Sequence, residues 1–452
     1  MAELLLAHNY HLPLDPHEAA LGRPYPPLGT LVTAAELENR GVDFAMYDAT
    51  FTPTVATFAE ALRGHRPRRV ALVADPHAVP QKMCTLRMRQ AAVEMLGLAK
   101  GAGATVLVSG PDASDRPEAY RQAGADVVVV GEHDDAVLAF ATGDPPSDGR
   151  GRLRPDLDTL PHPAWHRVDL AAYARAWRRS TGRWEMNVST ARGCPYRCNW
   201  CAKPTWGRSY RVRSAERVVA EILALREAWA PDGIWFTDDI FAVRPAWLRR
   251  FRELLPSPVP YRCLTRVDLL RDAAYVADLA ATGCTEVWVG AESGSQRVLD
   301  AMDKECTVAE IERAAGLLRD HGIRRGFFLQ LGYPGETRSD VDATVRMVRA
   351  LRPEEIGVSV SYPLPGTVFH ERVKERLRGT NWETAMDNTL LYESPYPQAF
   401  YDAAREVLRA EHALMSWRPE LSPRGARRAM ALGWHAARWP VERARMRWWG
   451  GR

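Results

Sequence analysis

The chain has 452 residues, 46% of them hydrophobic and 26% charged, with 60 basic side chains against 56 acidic ones. That length exceeds one ordinary core and predicts two or three globular domains. The net charge of +4 gives no reason to expect a nucleic-acid partner. No apolar run approaches a membrane span, so no transmembrane segment is expected, and the N-terminus lacks the regions of a signal peptide. Seven cysteines, three of them clustered, fit a reducing cytoplasmic setting.

Residues 1–145 alternate short β-rich runs with amphipathic stretches. Strands are predicted at Leu4–Ala7, Phe44–Tyr47, Val70–Ala74, Thr105–Ser109 and Val127–Val130, with helical segments around 29–40, 55–63, 86–100 and 116–123. This βαβ rhythm predicts an open, doubly wound parallel sheet, whose ligands bind outside the carboxyl ends of the strands. Several strand ends carry turn-forming residues, as in Ala74-Asp-Pro-His77, Ser109-Gly-Pro-Asp112 and Gly131-Glu-His-Asp134. Backbone at such turns can approach a ligand closely. The run Gly143-Asp-Pro-Pro-Ser-Asp-Gly-Arg-Gly151 then reads as the start of a linker over 146–183.

From 184 to 378 the alternation resumes with a longer period. Strands are predicted at Glu185–Ser189, Gly233–Thr237, Tyr261–Thr265, Glu286–Val289, Arg325–Leu331 and Gly357–Ser361, with a helical stretch after each. Six βα units predict a partial (β/α)6 barrel with its chemistry in the loops after the strands. Directly after the first strand comes Ala191-Arg-Gly-Cys-Pro-Tyr-Arg-Cys-Asn-Trp-Cys201, a C-x3-C-x2-C run. Thiolates this close in a reduced chain point to metal. Three suit a 4Fe–4S cluster with one iron left open. The alternative is a zinc site whose fourth ligand is remote, since no Cys or His follows within a few dozen residues. Cys84, Cys263, Cys284 and Cys306 are scattered and read as ordinary buried thiols. Residues 379–452 lose the alternation. They read as a mainly helical region that serves as a substrate-side cap, with Tyr392, Tyr396, Phe400, Tyr401 and Trp417 as an aromatic wall. Its tail interleaves Arg with Trp, which suits an anionic surface, an acidic substrate or a membrane face, or else packing of the Trp faces on the body with Arg solvated.

The cysteine run after the first of six βα units resembles the radical S-adenosylmethionine superfamily. The resemblance implies that Cys194, Cys198 and Cys201 hold the 4Fe–4S cluster and that the open iron binds S-adenosylmethionine. It places Trp200 near the adenine. Thr237-Asp-Asp-Ile-Phe241 is similar to the family's D-D-x-F and implies Asp238 at the methionine amino group, although helix capping by Asp238 and Asp239 explains it equally. Arg266 stands where members meet the methionine carboxylate. Gly290-Ala-Glu-Ser-Gly294 resembles G-x-E-S-G and implies contacts from Glu292 and Ser293. Leu331-Gly-Tyr-Pro-Gly-Glu-Thr337 resembles G-x-P-G-E-T, and with Ser361-Tyr-Pro-Leu-Pro-Gly-Thr367 it implies contacts from Gly332 and Tyr362. Val298-Leu-Asp-Ala-Met-Asp-Lys304 is similar to the helix before the fifth strand.

The N-terminal part resembles the cobalamin-binding domain that precedes the barrel in one large branch. The resemblance implies a cobalamin crevice lined by Tyr25, Pro27, Leu28, Asp75, His77, Ser109, Gly110, Pro111, Gly131 and Glu132. Asp75-Pro-His-Ala-Val-Pro80 is similar to a D-x-H-x-x-G cobalt-ligand motif. It has Pro80 in place of Gly and follows the third strand rather than the first, so His77 is expected beside cobalamin but not on cobalt.

The combined architecture implies a methyltransferase that uses a 5′-deoxyadenosyl radical and methylcobalamin on an unactivated carbon of a small molecule. An external donor such as flavodoxin or ferredoxin would supply electrons. Oxidative cyclisation or rearrangement with the same cofactors is the second reading, and a non-catalytic cobalamin- and cluster-binding protein the third. No residue is assigned as a catalytic acid or base.

Overall fold

The structure is a computed structural model that describes residues 2–75, 77, 85–202, 205–378, 388–416 and 423–449; side chains of residues 416 and 423–432 are not described. Cys84 and Trp417 lie outside the described residues. The chain divides into two compact units, Met1–Pro195 with Lys203–Phe241, and Tyr196–Ala202 with Ala242–Arg452.

In the first unit, strands β1 (Leu4–Ala7), β2 (Phe44–Tyr47), β3 (Arg69–Val73), β4 (Thr105–Ser109) and β5 (Val127–Val129) form one sheet in the order β2-β1-β3-β4-β5. All pairs are parallel. The side-chain period of 2 explains the layering. Leu5 and Ala7 face one core with Phe58 and Met95, while Leu4 and Leu6 face the other with Ala34, Leu37 and Phe140. Helices therefore cover both faces, as the sequence predicted. The strand order turns around between β1 and β3, which puts the crevice of such a sheet at their carboxyl ends. The helix Leu28–Asn39 begins there, and nearly all its residues are buried.

The first unit also holds β6 (Glu185–Val188), which pairs in parallel with β9 (Gly233–Phe236), and a short antiparallel pair, β7 (Ala191–Arg192) and β8 (Arg211–Val212). The β7–β8 pair was not predicted: two residues per strand carry no periodic signal.

In the second unit, β10 (Tyr261–Thr265), β11 (Cys284–Glu292), β12 (Arg324–Leu331) and β13 (Glu355–Val360) pair consecutively and in parallel. The helices between them start at clear signals. Thr307 and Glu310 form a capping box for Val308–Asp320. The Thr337 amide donates to Asp340 Oδ2 at 2.7 Å at the head of Arg338–Leu351. The six expected strands are thus all present, and no pairing among the described residues closes them into a barrel. The C-terminal region is helical, over Gln398–Ser416 and Pro423–Trp449.

Candidate functional site

The second half of the cysteine run, Tyr196–Ala202, is built into the second unit. Asn199 is its anchor. Its side-chain amide donates to the Ala301 carbonyl at 2.8 Å and to Asp303 Oδ2 at 2.7 Å. Its side-chain oxygen accepts from the Tyr333 hydroxyl at 2.6 Å, and its backbone carbonyl accepts from the Phe369 amide at 3.0 Å. The loop is therefore held by three segments that follow different strands.

Arg266, the residue after β10, grips the same loop. Its Nη1 donates to Cys198 Sγ at 3.3 Å, its Nη2 to the Lys304 carbonyl at 2.9 Å, and its Nε to Asp268 Oδ1 at 2.7 Å. The guanidinium lies 3.6 Å from the centre of the Tyr196 ring, whose hydroxyl donates to Asp268 Oδ2 at 2.8 Å. Burial works against the charge on Arg266. Asp268, and after it Cys198, raise its pKa above the usual guanidinium value, so it stays a cation. Trp200 lies 5.8 Å from Lys304 Nζ and keeps a buried indole N–H with no partner.

Glu292 and Lys304 form the next layer. Lys304 Nζ donates to Glu292 Oε1 at 2.8 Å, and both residues are buried. Glu292 has φ of 56°. A methyl at Gly290 would stand 2.4 Å from Glu292 Oε1 and 2.5 Å from Lys304 Nζ, which explains the glycine of the G-x-E-S-G stretch. Ser293 faces inward: its hydroxyl lies 3.2 Å from Thr344 Oγ1 and is fully buried. Gly332 has φ of 79° and donates its amide to Glu336 Oε2 at 2.6 Å. Its carbonyl accepts from the Tyr392 hydroxyl. Burial pushes the Glu336 carboxyl up to about 8, and its Oε1 has no partner. The Tyr362 hydroxyl accepts from the Asn388 amide.

In the first unit, Cys194 is buried just after Gly193, whose φ is 82°. Asp238 braces the chain that leads into it. Its Oδ1 accepts from the Thr190 and Ala191 amides at 2.7 and 2.9 Å, and from the Ser189 hydroxyl at 3.2 Å. Burial raises the Asp238 carboxyl to about 6 against these bonds. Asp238 thus serves the turn before the cysteines rather than the start of the helix after it.

The cobalamin-side residues fall into two groups. Some are already engaged within the protein. Asp75 Oδ1 accepts from the Gly29 and His77 amides at 3.2 and 2.9 Å, tying the loop after β3 to the helix start at Pro27 and Leu28. Burial raises Asp75 to about 6. The Tyr25 hydroxyl donates to Glu185 Oε2 at 3.2 Å. Glu132 accepts from Arg211 Nη1 at 2.7 Å and the Arg154 amide at 2.8 Å, and it pairs with Arg192. Others stand at the strand ends. Ser109 ends β4 with a fully buried hydroxyl that has no partner. Gly110 has φ of 132°, and a methyl there would meet the Ala74 side chain at 2.5 Å, just before the short helix begun by Pro111. The Gly131 amide donates to Ser114 Oγ at 3.0 Å.

His77 is buried, with Nδ1 3.2 Å from Thr237 Oγ1 and its ring 4.7 Å from that of Trp206. Burial, and after it the Arg192 charge, hold its pKa well below the usual imidazole range, so it is neutral. It helps line a narrow cleft that also takes in Leu28, Val32, Ser189, Arg192 and Glu221.

Arg192, like Asn199, is a residue that sequence reasoning missed. It reaches Asp134 Oδ2 at 2.6 Å besides its pair with Glu132, and all three are buried. Burial works against the charge on Asp134, but Arg192 holds its carboxyl far below the carboxylate range. Its position beside Gly193-Cys194 and the carboxylates of Gly131-Glu-His-Asp134 were both in view. The pairing across some 60 positions was not.

The residues present fit the implied groups. Three cysteines outside any disulfide, with a cation on one of them, suit a cluster. Each thiolate of such a cube binds its own iron. The buried, unpartnered Ser109 hydroxyl at the end of β4 suits a ligand bound outside the carboxyl ends of the sheet.

A B12 binding domain model matches residues 19–141, and a Radical SAM superfamily model matches residues 188–348. An uncharacterized methyltransferase of Pyrococcus horikoshii is 27% identical over 264 residues, which cover 57% of this chain and 52% of that protein. The anaerobic magnesium-protoporphyrin IX monomethyl ester cyclase of Cereibacter sphaeroides is 30% identical over 193 residues, covering 41% and 32%. The chain thus spans about half the length of the first of these relatives and a third of the second. Among solved structures, the radical S-adenosylmethionine methyltransferase TsrM from Kitasatospora setae, with cobalamin and a 4Fe–4S cluster bound, superposes with a TM-score of 0.66 at 22% identity. The match covers 83% of this chain and 78% of that one, and it shows a shared fold.

Proposed function

The chain belongs to the radical S-adenosylmethionine superfamily, in the branch with a B12-binding domain ahead of the radical domain, and from this we propose that it methylates an unreactive carbon of a small molecule. The observation that carries the reading is the cysteine loop, anchored by Asn199 and charged by Arg266, in one chain with a B12-binding domain. On this reading Cys194, Cys198 and Cys201 hold the cluster. Trp200, Arg266, Glu292 and Lys304 surround the S-adenosylmethionine site, and the strand ends at Ser109 and Gly110, with Leu28 and His77, hold cobalamin. When bound, these groups supply one-electron cleavage of S-adenosylmethionine and a transferable methyl group.

The chain's own residues bind, orient and exclude water. Asn199 fixes the loop so that the sulfurs are presented in one arrangement, which lowers the entropy lost on assembling the cluster. Lys304 neutralises Glu292, so the buried carboxylate can stand beside a zwitterionic cosubstrate without an uncompensated charge. Arg266 and Asp238 act as positioning residues on this reading: their bonding groups are spent on the loop and on the turn before it. The neutral, buried His77 packs beside the cleft with its Nδ1 near Thr237 and its ring against Trp206. The domain plan follows the same reading: residues 1–145 for cobalamin, 146–183 as linker, 184–378 for the cluster and cosubstrate, and 379–452 as the substrate-side cap. The electron donor is a flavodoxin or ferredoxin, and the setting is the cytoplasm.

Cyclisation is the second reading, supported by the 30% identity to a cyclase. Product analysis under anaerobic conditions separates the two. Reconstituted protein given S-adenosylmethionine, a low-potential reductant, hydroxocobalamin and a metabolite panel should form S-adenosylhomocysteine together with 5′-deoxyadenosine and a methylated product. 5′-Deoxyadenosine with a ring-closed product and no S-adenosylhomocysteine would favour cyclisation.

A further inference from the structure

The C-terminal helix Pro423–Trp449 carries seven arginines and a single acid, Glu442, so it holds a charge of +6 in a chain whose total is +4. One face of it packs inward. Trp439 Nε1 donates to Glu411 Oε1 at 3.0 Å, Arg443 reaches Asp342 at 3.2 Å, and Glu442 and Met446 are buried. The opposite face is apolar and exposed. Trp434, Val441 and Trp448 are 50%, 51% and 53% exposed, and Ala437 and Ala444 lie exposed between them. Spacings of three, four, three and four residues align these five on one stripe about 21 Å long at 1.5 Å per residue. Arginines border the stripe: Arg438 lies over the Trp434 ring at 4.4 Å, Arg445 lies one turn beyond Val441, and Arg447 is exposed beside Trp448.

We propose that this helix is an interfacial anchor that lays the Trp434–Trp448 stripe on an anionic lipid surface. Burying the stripe removes exposed apolar area from water, and tryptophans at both ends suit the headgroup boundary, where an apolar ring and a polar N–H are both satisfied. The arginines meet lipid phosphate and carboxylate groups. Charge argues against a second copy of the helix as the occupant: two such faces would bring arginine against arginine, with only Glu442 to offset them, and Glu442 is already paired to Arg438 and Arg445. Nucleic acid would use the arginines but leave the stripe in water. The contact is superficial, since no helix among the described residues is long and apolar enough to cross a membrane.

The test is flotation of the full chain with vesicles of phosphatidylcholine alone or with added phosphatidylglycerol, alongside its sedimentation equilibrium. The proposal predicts flotation with the anionic vesicles only, a blue-shifted tryptophan emission on binding, and release at high salt. Trp434→Ser with Trp448→Ser should abolish flotation, and Arg445→Glu with Arg447→Glu should weaken it by at least about fivefold, the effect of one surface charge. All four positions are outward-facing, and circular dichroism reports whether the variants stay folded. Absent flotation overturns the proposal, as does flotation unchanged in both variants. A dimer that the tryptophan variant splits, without flotation, would assign the stripe to self-association instead.

Discussion

Glu336 is an acid kept from ionising. Its carboxyl is buried, accepts one amide bond from Gly332 and leaves Oε1 without a partner, so burial raises it to about 8. In the unfolded chain an ordinary Glu ionises near 4.5. The sign follows from proton counting: between these two values the folded chain binds the proton and the unfolded chain does not, so stability falls as pH rises. The stability that Glu336 lends is full below pH 4.5 and is lost as pH passes about 8. The loss should amount to ~3–5 kcal/mol over that span. Urea denaturation of the apoprotein across this range should show the decline, and Glu336→Gln should flatten it; a wild-type curve that rises from pH 5 to 8 while the variant matches it would contradict the assignment.

The lone residues most legible in advance were those with chemistry of their own. The spacing of Cys194, Cys198 and Cys201 pointed to metal before any fold was known. The roles of Arg266 and Asp238 were less legible, because a strand-end charge has the same spacing whether it meets a ligand or its own backbone. Asp238 turned to Thr190 and Ala191, and Arg266 to the Lys304 carbonyl.

Among elements, the strands were read within one or two residues of their ends, because Val- and Leu-rich runs between turns carry a strong period; β11 is the exception, running three residues past the predicted Val289 to Glu292. Their pairing into an open sheet followed from the βαβ order. What could not be read was the bracing of short loops. Asn199 lies between two cysteines and gives no local sign that it bonds to Ala301, Asp303 and Tyr333, a hundred or more positions away. Its removal tests whether the loop is preorganised. Asn199→Ala leaves the buried Tyr333 hydroxyl and the Ala301 carbonyl short of a partner, and should cost ~2–4 kcal/mol by chemical denaturation. It should also lower iron retention on desalting while leaving cobalamin binding unchanged. Wild-type iron retention in a folded Asn199→Ala protein would show that the loop needs no such anchor. Gly290 makes a parallel point: the glycine was visible, but its reason, the space taken by the Glu292–Lys304 pair, appears only in three dimensions.

For the whole molecule, the account joins two chemistries in one chain. The B12-binding match ends at residue 141 and the radical match begins at residue 188, so each cofactor has its own stretch of sequence. The Arg192 network adds a structural link inside the first unit. The residue two before Cys194 is neutralised by Glu132 and Asp134 from the end of the five-stranded sheet, which ties the approach to the cysteines to the cobalamin-side fold. No local pattern announced that pairing. Elemental analysis of the anaerobically reconstituted protein, supplied with iron, sulfide and hydroxocobalamin and then desalted, tests the pairing of cofactors most directly. The account predicts about four irons and about one cobalt per chain without zinc, with Cys198→Ala losing the iron and keeping the cobalt. Zinc in place of iron, or iron with no cobalt, would contradict it.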